Sequence, residues 1–73
     1  MFILFVIRKT NTEEYLWDMN VAQRDYKFAT FDEKLPSYNW CIAWLTKDGC
    51  QEMCDLVTIC SDYDKGDLEV VEL

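Results

Sequence analysis

The chain has no histidine, two glycines and one proline among its 73 residues. Histidine is the commonest general base, and without it a serine, threonine or cysteine has no usual partner to activate it, which sets triad chemistry aside. Gly49 and Gly66 are too far apart to build a glycine-rich phosphate loop. Positive charge is scarce as well. Seven dispersed Lys and Arg face fourteen Asp and Glu, giving a net charge of −7. That balance disfavours direct nucleic-acid binding through phosphate neutralisation and repels anionic membranes. Long apolar runs are missing too. The one continuous run, Phe2 to Ile7, is far shorter than the roughly 20 residues of a membrane-spanning helix. Arg8 and Lys9 follow that run instead of preceding it, so it does not read as an export signal, and the expected compartment is the cytoplasm.

What is present is apolar and aromatic. Hydrophobic residues make up 51% of the chain, with three Trp, four Tyr and four Phe, far too much for a disordered acidic tail. Residues 1–73 read as a single small α+β domain, near the size at which burial alone offsets chain entropy. The four cysteines, Cys41, Cys50, Cys54 and Cys60, read as small buried hydrophobes in a reducing compartment. Four thiolates can also close a zinc site, but this spacing lacks the paired knuckles such sites use. No metal or cofactor is therefore expected.

Along the chain, Phe2 to Lys9 reads as a strand entering a turn at Thr10, Asn11 and Thr12, and Glu13 to Val21 alternates at strand period. The two predict a hairpin, with Tyr15, Trp17, Met19 and Val21 on one side and Leu16, Asp18 and Asn20 on the other. Asp25 to Phe31 predicts a third strand. Asp32 as a cap, Pro36 near a start, and Tyr38, Cys41, Ile42 and Leu45 at three- and four-residue spacing predict a helix. It would begin between Glu33 and Ser37, hold Lys47 in its last turn and stop at Gly49. Asp55 to Cys60 and Leu68 to Leu73 then predict a second hairpin around an acidic turn containing Gly66. The expected order is β-β-β-α-β-β, an antiparallel or mixed sheet of about five strands with one helix packed on one face. The first strand is apolar on both sides, so something must cover the second face: the chain itself, a second copy or a partner.

No residue set reaches the specificity of a catalytic motif, and no enzymatic activity is expected. Carboxylate pairs read as solvated surface charge. The turn Ser61-Asp62-Tyr63-Asp64-Lys65-Gly66-Asp67 has alternating acids but misplaces the glycine and glutamate of a calcium loop. Spaced negative charge, from Asp62, Asp64, Asp67 and Glu69, with Glu52, Asp55 and Glu72, instead suits a basic groove on a larger protein and could mimic nucleic acid. Trp40 and Trp44, flanking the main stripe of the predicted helix, are candidate partner anchors, the residue type that dominates interface hot spots. The sequence therefore predicts a small acidic protein-binding module, an inhibitor or regulator of a larger, possibly nucleic-acid-processing protein. Its general character is that of phage and mobile-element proteins that inhibit host enzymes or defence systems, anti-CRISPR proteins among them. That likeness is one of type, carried by no motif. The alternatives are a structural or regulatory homodimer and a zinc-stabilised module.

Overall fold

A computed structural model describes residues 3–30, 41–61 and 63–73. Its elements follow in the order β1 (Phe5–Lys9), β2 (Tyr15–Asn20), β3 (Asp25–Ala29), α1 (Lys47–Cys60) and β4 (Leu68–Glu72). The strands make one antiparallel sheet in the order β3-β2-β1-β4. The expected α+β class with one helix against a sheet holds, with four strands among the described residues in the place of about five.

The β1–β2 hairpin turns where the polar trio predicts. Asn11 takes a left-handed φ of 63°, a conformation asparagine tolerates better than most residues. The Thr12 hydroxyl donates to the Lys9 carbonyl at 2.8 Å and accepts from the Glu14 amide at 3.2 Å. β4 returns alongside β1 over its whole length, from Phe5↔Glu72 to Lys9↔Leu68. Ile7 and Val70 share one register position, and both lie on the face that packs against α1.

Strand β2 departs from simple alternation. A bulge between Leu16 and Asp18 shifts its register against β3, so that Leu16 pairs with Phe28 and Met19 with Tyr26. An extra residue reverses the side-chain phase. Leu16 and Met19, expected on opposite sides, consequently both join the core. Lys27 sits beside Asp18 at 3.8 Å and over the Trp17 ring at 5.8 Å, on the outer side of the bulge.

β1 and β2 pair at Arg8↔Tyr15 and then splay apart. Residues 42–44 occupy the fork: the Ile42 amide donates to the Leu16 carbonyl at 3.2 Å, and Trp44 and Phe5 exchange two backbone bonds of 2.9 Å. Backbone groups left unpaired by the divergence are thereby satisfied. This extended segment stands where the sequence predicts the second half of a helix. The earlier part of that predicted helix, like Phe31, lies outside the described residues.

The helix starts where its stop was expected. Thr46 is extended (φ −125°, ψ 145°) and its hydroxyl accepts from the Gly49 amide at 3.1 Å, the geometry of an N-cap. Asp48 lies in the first turn, where the positive end of the helix dipole favours it. Gly49 is needed for space: a Cβ there would meet Thr46 Oγ1 at 2.9 Å. From this start Cys50, Cys54 and Val57 repeat at four and three residues and are buried at 0%, 3% and 0% exposure. That stripe holds residues 55–60 in the helix, although their β-branched composition predicts a strand. Tertiary burial outweighs the few tenths of a kcal/mol by which β-branched residues disfavour a helix. With no strand at 55–60, β4 pairs with β1 instead.

The core joins Ile7, Leu16 and Leu68 of the sheet to Cys50, Cys54 and Val57 of the helix. Each large aliphatic side chain in it contributes about 1.5–3 kcal/mol by leaving water. On the opposite face of the sheet Val6, Tyr15 and Ala29 are buried as well. The second face of β1 is thus covered within one chain, and a partner copy is not needed there.

At the far end of α1 the Ser61 hydroxyl donates to the Val57 carbonyl, satisfying one of the last free carbonyls. Gly66, at φ +96°, permits the turn into β4. The Thr10 amide and hydroxyl bind the carbonyls of Asp67 and Gly66 at 2.9 and 2.6 Å, fastening the turn to the end of β1. Nearby, Phe28 and Tyr63 meet edge to face at 5.8 Å with the Lys9 ammonium 4.9 Å above Phe28.

Candidate interaction surface

The outer side of α1 is set by the same spacing that builds the core. Each residue advances about 100° around the helix, so Asp48, Glu52, Asp55 and Ile59 form a stripe opposite Cys50, Cys54 and Val57. The three carboxylates are exposed, as is Leu56 at 38%, and Ile59 is 80% exposed. Successive acids lie about 4.5–6 Å apart along the axis. Asp55 accepts a 2.9 Å bond from Gln51 Nε2 one turn earlier, and no basic side chain pairs with Asp48, Glu52 or Asp55 among the described residues. The last turn carries no basic residue either.

Ile59 stands between two depressions. One, of about 560 Å³, lies between the end of α1 and the start of β3 and includes Arg24, Asp25, Tyr26, Cys60 and Tyr63 in its lining. The other, of about 360 Å³, is shallower and runs past Asp55, Thr58 and Lys65. Arg24 adopts φ 55° at the rim of the first, a left-handed conformation that favours glycine or asparagine. The Tyr26 hydroxyl is closed from solvent without a hydrogen-bond partner among the described residues. Its loss of solvation, with a smaller push from Cys60, raises its pKa.

The sequence-predicted residues are scattered. Trp40 and Asp62 lie outside the described residues. Trp44 is half-buried, its backbone in the fork of the sheet and its ring packed against the core. Asp64 is exposed, but its amide donates a 2.8 Å bond to the Asp67 carboxylate, which is thus engaged inside its own turn. Glu69 is paired with Arg8, whose Nε donates at 2.9 Å. The hydrogen bond to Glu69 is the main cause raising the Arg8 pKa. Trp44 bonds to the first residue of β1, whereas the acidic turn is fastened just beyond its last, so anchor and acids do not form one surface.

Glu52 and Asp55 belong to the spaced charge the sequence brings forward, but Asp48, Leu56 and Ile59 do not. Their signal was available in the four- and three-residue spacing of Cys50, Cys54 and Val57, which fixes the opposite side as outward.

The four cysteines form no disulfide. Cys50 and Cys54 point into the core, and burial pushes the Cys50 and Cys41 thiols up to about 11. Among the described residues no group of three or more Cys, Asp or Glu is arranged to hold a metal ion, and no helix is long and apolar enough to cross a membrane. Comparison with protein-family models, curated proteins and solved structures finds no match for this chain.

Proposed function

We propose that this chain is a small acidic protein-binding module that regulates or inhibits a larger protein, and that the outer face of α1 is its contact surface. The observation that carries the reading is the stripe of exposed carboxylates at Asp48, Glu52 and Asp55, which have no salt-bridge partner among the described residues, leading to Ile59 at 80% exposure. A rigid row of negative charge on a helix steers encounter with a basic groove and sets its register. An aliphatic end gives the contact an apolar component. The partner this chemistry fits is a protein with a basic, partly apolar cleft, of the kind that handles nucleic acid, and the row then acts as an electrostatic substitute for phosphates. Proteins encoded by phage and mobile elements to block host defence are one class in which such a module would serve. The cytoplasm is the compartment that suits it.

Capture from nuclease-treated lysate by wild-type chain and by the Asp48→Asn/Glu52→Gln variant, run side by side, tests the reading. The expected result is one stoichiometric basic protein held by the wild type, released by added duplex DNA and by salt, and lost from the variant. Equal capture by both chains would overturn it.

A further inference from the structure

We draw no further inference here: the strongest candidate, the outer edge of β4, which pairs only with β1 among the described residues, carries nothing because nothing in the structure shows what covers it.

Discussion

The two sides of α1 are built from one fourteen-residue segment and serve opposite ends. The inner side, Cys50, Cys54 and Val57, is small, apolar and almost completely buried. The outer side, Asp48, Glu52, Asp55 and Ile59, adds no buried residue to the fold and keeps both charge and a large aliphatic side chain in water. An isoleucine so placed costs little in stability, but nothing in folding accounts for it. Fold and the proposed contact are therefore separable by substitution along a single helix.

The strongest break in that separation is expected at the core. Val57→Asp places an unpaired carboxylate against Ile7 and Leu16 and should cost more than about 4 kcal/mol, abolishing the urea transition. Ile59→Asp, two residues on, should leave the midpoint within about 0.5 kcal/mol of wild type. A comparable loss in both variants would end the distinction between the sides.

Next in size is alkaline pH. The Cys50 thiol has an ordinary value of 9.0 and is pushed up to about 11 in the fold by burial. Its contribution is thus fully present below pH 9 and lost as pH rises toward 11, because the unfolded chain ionises first. Urea midpoints should fall across that window, and a Cys50→Ala variant should show a shallower fall. Identical slopes would remove Cys50 as the cause.

The start of the helix comes third. Thr46→Ala should cost about 1 kcal/mol through the lost cap. Gly49→Ala would ordinarily stabilise a helix by about 1 kcal/mol, but the clash with Thr46 Oγ1 at 2.9 Å should cancel that gain. A clear stabilisation by alanine would place the cap elsewhere.

The smallest stability effect belongs to Asp48→Asn/Glu52→Gln, within about 0.5 kcal/mol of wild type, where partner capture is the quantity that changes.

How much of this is legible in the sequence varies by segment. β1, β2, β3 and β4 follow from strand-period residues and the Asn11 and Gly66 turns, and their edges fall within a few residues of expectation. Lys47-Asp48-Gly49 reads in both directions: lysine and glycine suit a helix end, while Thr46 and Asp48 suit a start. The periodicity of Tyr38, Cys41, Ile42 and Leu45 favours the wrong choice, and only the fork between β1 and β2, a long-range feature, draws residues 42–44 out as extended chain. The β-branched run Val57-Thr58-Ile59 then reads as a strand, since nothing local announces that Val57 completes a buried stripe with Cys50 and Cys54. The candidate surface was missed for the same reason. With the helix misplaced, Ile59 falls in a predicted strand, and Asp67 and Glu69 look freer than they are, one hydrogen-bonded within its turn and the other paired with Arg8.

Carbodiimide labelling of carboxylates in the captured complex, compared with the chain alone, tests the central claim most directly. Protection of Asp48 and Glu52 with Asp64 still labelled is the result expected if the outer face of α1 meets the partner. Protection centred on Asp64 and Asp67, with Asp48 and Glu52 fully reactive, would contradict it.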